Sequence, residues 1–496
     1  MNQDVLDYFI DHDVLISPDV EDTELTLEEA KQILSIFNDE LDVLNEDVLT
    51  LYKQRKGSEE RKLTITKSHE EKGRERTFQD FVKTFNKRYE HARELLRNRN
   101  QMGSLSSAAR IKEKERGTDV SMIGMVREKR ETRNGNLIFE FEDKTGTLTA
   151  LMKPDSDPEL FETGTDMVLD EVVGINGAWL GGILFIKEII FPDVPRGRAL
   201  KKSPEESYVA FLGDPHFGAE GFLYEEFKRF LKWTHGELGN KQQRHIANNL
   251  DYIICPGDVV EGAGIYPGQE HDLAIEEVKD QYKEAAKWLA KIPDHIEILI
   301  IPGNHDVGRL AEPQHTIPKK YAPELWELPN VQLASNPCTV KFGKTDDFPG
   351  FTALIYHGGS LIYYSEEVSS IRKAGGQKRC DKIMKFLLER RHLAPTHGST
   401  PYVPSEEDHL FIEEIPDFFV TGHIHRAEAA KYRNVTLINA STWIETTQEQ
   451  IKRGLEPQPC RVPIVNLQTR EMKMMNFLTA KTKKEEAKKL EQATEA

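Results

Sequence analysis

Between residues 119 and 193 apolar and polar positions alternate, the period of strands with one buried face. Residues 120–126 form one predicted strand. Asn134-Gly135 signals a hairpin into a second over 137–141, and Gly146 precedes a third over 147–152. A short helix over 157–161 and strands over 167–175 and 183–191 follow. Three strands, a helix and two strands is the order of an OB-fold barrel, which serves either single-strand binding or protein docking. Phe139, Phe141 and Trp179 are candidate stacking aromatics, although alternation turns several of them inward.

From Ser207 the pattern changes. Short apolar runs over 208–212, 251–255, 296–301, 352–356, 417–420 and 435–438 alternate with helical periodicity over 222–233 and 273–289. That predicts a layered α/β domain. Upstream, residues 2–55 read as short helices, with Thr26-Leu27-Glu28-Glu29 as a capping box. Residues 53–76 lose apolar periodicity and read as a disordered charged linker, and 78–98 regain a helical pattern through Phe81, Phe85, Tyr89 and Leu95. The expected organisation is a helical module (1–55), a charged linker with a helix (56–115), an all-β OB-fold (116–195), an α/β domain (200–478) and a Lys/Glu/Ala-rich tail (479–496).

Composition narrows the class. The 496 residues exceed one ordinary domain. No apolar run is long enough to span a membrane, and the acidic start carries no signal-peptide pattern, so the expected location is the cytoplasm. Cys255, Cys338, Cys380 and Cys460 are scattered singly, which argues against a zinc ribbon or a disulfide framework. A net charge of −17 argues against a protein that coats nucleic acid through global charge. Local basic stretches at 53–99, 127–133 and 196–202 read first as solvated helix faces or linkers.

The chemistry lies where the α/β strands end. The run 296–301 leads into Pro302-Gly303-Asn304-His305-Asp306. Four more junctions share this form: Gly213-Asp214-Pro215-His216, Gly257-Asp258 through Glu261-Gly262, His357-Gly358-Gly359, and Gly422-His423-Ile424-His425. Any one of them alone reads as a polar loop satisfying its own backbone, and a lone His-x-His is usually incidental. Five in one α/β segment is a constellation. Carboxylates, imidazoles and an amide without thiolate suit manganese, iron, zinc or nickel. Seven ligands exceed one tetrahedral ion, so two are implied, the device for in-line attack at phosphorus, with Asp258 the natural bridge.

Together the five blocks resemble the calcineurin-like metallophosphoesterase superfamily, with its D-x-H, G-D, G-N-H-D, H-G and G-H-x-H pattern. More closely, the chain resembles the small-subunit family of archaeal family D DNA polymerases. The residues carrying this are Gly257-Asp-Val-Val-Glu-Gly-Ala-Gly-Ile-Tyr-Pro-Gly-Gln-Glu270, Gly303-Asn-His-Asp-Val-Gly-Arg-Leu-Ala-Glu-Pro-Gln314, Arg390-Arg-His-Leu-Ala-Pro395 and Glu407-Asp-His-Leu410. The resemblance spans about residues 115–470. It implies a four-layer phosphoesterase domain behind the OB-fold and a manganese-dependent 3′→5′ exonuclease proofreading for a large polymerase subunit. The implied partners are that subunit and single-stranded primer 3′ ends, with a sliding clamp or primase as further candidates. It also implies one ion on Asp214, His216, Asp258 and His425, and a second on Asp258, Asn304, His357 and His423. His305 would orient the phosphate or protonate the leaving oxygen, and Asp306 would hold the His305 ring. Pro215 and Gly359 depart from the superfamily pattern without removing a ligand. A different metallophosphoesterase (a repair nuclease or a cyclic nucleotide phosphodiesterase) and a non-catalytic assembly subunit are the rival readings.

Overall fold

The computed structural model describes residues 3–485 except 13, 21–22, 24, 37–40, 42, 46–47, 50–51, 53–62, 72, 156, 448–449 and 452–453. In chain order its strands are β1 (Leu15–Ile16), β2 (Val43–Leu44), β3 (Thr64–Ser68), β4 (Thr118–Glu131), β5 (Leu137–Asp143), β6 (Gly146–Met152), β7 (Val172–Trp179) and β8 (Leu184–Ile190). There follow β9 (Tyr208–Phe211), β10 (Leu250–Cys255), β11 (Glu297–Ile300), β12 (Val331–Leu333), β13 (Cys338–Phe342) and β14 (Phe351–Ile355). The last are β15 (Phe418–Thr421), β16 (Glu428–Tyr432), β17 (Val435–Asn439), β18 (Arg461–Asn466) and β19 (Met472–Asn476).

Two six-stranded sheets carry the C-terminal part, in the orders β12-β11-β10-β9-β18-β19 and β16-β17-β15-β14-β13-β3. The strands β9 to β12 run parallel, as do β14, β15 and β17. Their continuous apolar runs follow from burial on both faces. Val209, Phe211, Tyr252, Ile254 and Leu299 face the second sheet and meet Val340, Phe342, Phe351, Phe418 and Val420. Ala210, Ile253, Ile298 and Ile300 face the other way, onto the helices Tyr224–Thr234 and Val278–Leu289. The outer face of the second sheet, with Leu354, Phe419 and Leu437, is covered by the helix Cys380–Arg390. The layers are thus helix, sheet, sheet, helix.

Strands β4 to β8 close a separate barrel in the order β4-β5-β6-β8-β7, with the helix Pro158–Asp166 between β6 and β7. Phe139, Phe141 and Trp179 are buried in its core, so they offer no face to a base. The helix Phe78–Arg97 packs Tyr89, Ala92 and Leu96 against the barrel's Ile123, Met125 and Val172. It also anchors to the layered part. Arg88 Nε and His392 Nε2 both lie 2.8 Å from Asp408 Oδ2, all three buried. Arg390 Nε pairs with the barrel's Glu171 at 2.5 Å, again buried.

Thr26 and Glu29 make the reciprocal capping bonds their spacing predicts. The stretch read as a disordered linker is in part ordered. Of it, residues 53–62 lie outside the described residues, but β3 pairs antiparallel with β13 as an edge strand. Leu63 and Ile65 pack on the inter-sheet core while Thr64 and Thr66–Ser68 stay exposed or half-exposed, too short an alternation to stand out in charged surroundings. Strands β12, β13, β16, β18 and β19 also escape sequence periodicity, and the stretch read as short helices holds the two-residue strands β1 and β2, which pair in parallel. Of the tail, only residues up to 485 are described, and Thr479 and Thr482 bond to Glu226. All four cysteines are free and buried. Among the described residues no helix is long and apolar enough to cross a membrane.

Candidate metal centre

The five junctions predicted from sequence follow β9, β10, β11, β14 and β15, three from one sheet and two from the other. They converge beyond the carboxyl ends of the parallel strands, where loops of open α/β sheets gather ligands. Ligand atoms of Asp214, His216, Asp258 and His425 lie within 4.8 Å of one another, as do those of Asp258, His357 and His423. Asn304 Oδ1 joins the second group, 2.9 Å from His357 Nε2. Asp258 belongs to both.

The backbone is bent to achieve this. His216, Asp258, His423 and His425 have φ of 53°, 48°, 70° and 56°. Side-chain-bearing residues occupy this left-handed region at a cost of order 1–3 kcal/mol each, and they cluster where function over-determines them. Close approach needs glycine as well. A Cβ on Gly303 would stand 2.2 Å from Asp258 Oδ1, and one on Gly422 would stand 2.3 Å from Asp214 Oδ1.

Polar contacts outside the cluster select which ring nitrogen faces inward. His357 Nδ1 donates to the Pro256 carbonyl at 2.9 Å, so Nε2 is the nitrogen that faces the cluster, 2.9 Å from Asn304 Oδ1 and 3.3 Å from Asp258 Oδ2. His216 Nδ1 contacts Glu261 Oε2 at 2.8 Å, which turns its Nε2 inward to within 3.1 Å of His425 Nε2. Two nitrogens on one ion, each bonded at about 2.1 Å, sit about 3 Å apart. Glu261 is in turn held by Gln269 and Tyr266. Motif spacing gives Glu261 no role, because its partner His216 is set by tertiary structure.

Burial would discharge both of these rings. The Glu261 carboxylate overrides it at His216 and the Asp258 carboxylate at His357, pushing them up to about 9 and about 10. Burial pushes Asp214 up to about 7, against the opposing pull of His357. Asp258 is buried too, but the His357 and His305 rings hold it well below the usual carboxylate range. Burial, with neighbouring rings, lowers His423 to about 3 and His425 well below its ordinary value. Asp214 Oδ1 is buried without a hydrogen-bond partner. An orphaned carboxylate oxygen beside the neutral His423 and His425, with His216 and His357 able to exchange a proton for a cation, is a donor set that fits divalent cations.

His305 sits at the mouth. Its backbone N–H donates to Asp258 Oδ1 at 2.8 Å and its Nδ1 donates to the Glu261 carbonyl at 2.8 Å, leaving Nε2 as its available ring nitrogen. The ring lines a cleft of about 670 Å³ with His216, His425, Tyr266 and Ile444. Asp306 departs from expectation. It is buried and accepts from the N–H groups of Gly303 (2.8 Å) and Val259 (3.1 Å) and from the Tyr282 hydroxyl (2.9 Å). It ties two ligand loops together, whereas the His305 ring is held by the Glu261 carbonyl.

Residues 209–430 match the family model of the DNA polymerase alpha/epsilon B-subunit. The DNA polymerase II small subunit of Methanothermobacter thermautotrophicus is 38% identical over 400 residues, covering 80% of this chain and 79% of the relative. That of Archaeoglobus fulgidus is 38% identical over 390 residues (78% and 75%), and that of Thermoplasma acidophilum 34% over 411 (81% and 79%). Among solved structures, asparaginyl-tRNA synthetase from Pyrococcus horikoshii shares 18% identity over 18% of this chain and 23% of that one, at a TM-score of 0.17. With relatives matched across three quarters or more of both lengths, the chain belongs to the small-subunit family of archaeal DNA polymerase II, the family D polymerases.

Proposed function

We propose that this polymerase small subunit is itself a nuclease, a 3′→5′ exonuclease that removes terminal nucleotides from DNA for a large polymerase subunit. The observation that carries the reading is the convergence of seven buried or half-buried ligand residues, Asp258 among them and common to both groups, with Asp214 Oδ1 left without a partner. In this reading the layered part (200–478) is a calcineurin-like phosphoesterase domain and the barrel (116–195) an OB-fold. Residues 1–55, 56–115 and 479–496 are a helical module, a linker with a helix and a tail. Asp214, His216, Asp258 and His425 would hold one divalent cation, and Asp258, Asn304, His357 and His423 the other. When bound, two such ions (manganese, with iron, zinc or nickel as alternatives) supply Lewis-acid polarisation of the phosphodiester and lower the pKa of water. His305 offers Nε2 to the non-bridging or leaving oxygen of the terminal phosphate. Glu261 fixes the His216 ring, and Asp306 fixes the loops that present Asp258 and Asn304.

The intact ligand set favours this over a purely scaffolding subunit. The net charge of −17 favours a subunit whose grip on DNA is supplied largely by its partner. A 5′-labelled single strand incubated with manganese tests the reading. Successive shortening from the 3′ end with release of mononucleotides is expected. Internal cuts or 5′ mononucleotides would place the chain with other phosphoesterases.

A further inference from the structure

A second groove, of about 400 Å³, adjoins the metal cleft. Leu455 lines both, and consecutive residues divide between them, His425 in the cleft and Arg426 in the groove. The groove is basic in a strongly acidic protein: Arg372, Lys378 and Arg426 face Glu366 and Glu456. Gly375 and Gly376 line it, with φ of 123° and 59°, the left-handed region that favours glycine.

The protein has already seated one of its own anions there. The Glu456 carboxylate lies 2.6 Å from Lys378 Nζ through Oε1 and 3.4 Å from Arg426 through Oε2. Arg426 reaches Glu456 through Nη1, 3.4 Å from both its carbonyl oxygen and its carboxylate Oε2. Lys378 and Glu456 are both about half exposed, at 45% and 48%. Such an exposed ion pair exchanges partners at little cost. A carboxylate bridging an ammonium and a guanidinium stands where a phosphate would stand.

We propose that this groove binds a backbone phosphate of the single strand whose 3′ end lies in the metal cleft, and that Glu456 occupies the phosphate seat until DNA displaces it. The choice of ligand rests on the nuclease reading. Lys378 and Arg426 supply the charge, Arg372 adds to it, and Leu455 is the wall shared with the scissile end. The groove thereby holds the strand upstream of the cut, in competition with Glu456.

The test is fluorescence anisotropy of labelled oligothymidylate on the full-length chain in EDTA, so that binding is read without cleavage. Lys378→Ala should weaken binding several-fold and reduce the salt slope by about 0.7, the increment for one phosphate contact on a single strand. Glu456→Gln should act oppositely and tighten binding several-fold, and adding it to Lys378→Ala should restore part of the loss. Unchanged affinity and slope in Lys378→Ala, or weaker binding in Glu456→Gln, would overturn the proposal. Manganese-dependent mononucleotide release by the wild type is scored separately, so the groove and the nuclease reading can fail independently.

Discussion

Glu261 Oε2 lies 2.8 Å from His216 Nδ1, across 45 residues of chain, and so leaves Nε2 as the His216 nitrogen that faces the cluster of carboxylates and rings. A carboxylate behind a ligating imidazole fixes the tautomer and raises the basicity of the ring. Glu261→Ala should therefore raise the manganese concentration needed for half-saturation by about 10–100-fold. Isothermal titration with manganese checks this. A midpoint equal to wild type would show that His216 is oriented by packing alone.

Gly303 separates crowding from backbone strain, since only its missing Cβ matters. A methyl there would stand 2.2 Å from Asp258 Oδ1 and 2.7 Å from His357 Cε1. Gly303→Ala should displace the shared carboxylate and reduce cleavage by on the order of 100-fold, the effect of about 1 Å of misplacement at a reacting centre. Steady-state rates on a short oligonucleotide measure it. Wild-type rates in this variant would mean that Asp258 has room to move.

These two residues also show what a sequence discloses. Gly303, Asn304 and His305 are legible together because strand, turn and ligand are adjacent in the chain. The same holds for His423 and His425. The barrel order is legible because hairpin signals and alternation are local. Glu261 is visible in its motif but silent in role, since its partner comes from another loop. Adjacency assigns Asp306 to the His305 ring, yet its carboxylate turns away to the amides of Gly303 and Val259. Strand β3 escapes notice because an edge strand buries only alternate residues and sits here among charges.

His69 carries a pH signature. Its ring stacks on His315 at a centroid distance of 5.5 Å and meets His409 at a tilt at 4.3 Å, and its Nε2 is buried without a hydrogen bond. Burial, followed by His409, Arg309 and His315, lowers it to about 4, against the opposite pull of Glu71. The unfolded chain takes up a proton near 6.5 and the folded chain only near 4. This contribution to stability is therefore fully present above pH 6.5 and is lost as pH falls toward 4. His315 and His409, also held down first by burial, add the same sign. Tm should fall across this window, and His69→Gln should flatten the fall. An unaltered Tm–pH profile in the variant would contradict the assignment.

Arg88 holds the helix Phe78–Arg97 to the layered part through a fully buried pair with Asp408. Arg88→Ala leaves a buried carboxylate with His392 as its remaining ring partner. Losing one member of such a pair costs about 3–5 kcal/mol. The urea midpoint should fall accordingly, whereas Lys83→Ala, which breaks the exposed pair with Glu406, should leave it nearly unchanged. Equal midpoints for the two variants would count against the anchoring role.

The proposed two-ion nuclease centre, built on Asp258 with His305 in the chemistry, would make metal retention and cleavage separable. Manganese-dependent digestion of a 3′-mismatched primer–template by wild type, Asp258→Asn and His305→Ala reads both at once, with the large subunit present and bound manganese counted. Mononucleotide release is expected from wild type only, with manganese lost from Asp258→Asn and retained by His305→Ala. A wild type that releases no nucleotide, or an Asp258→Asn variant that cleaves as wild type does, would contradict the nuclease reading.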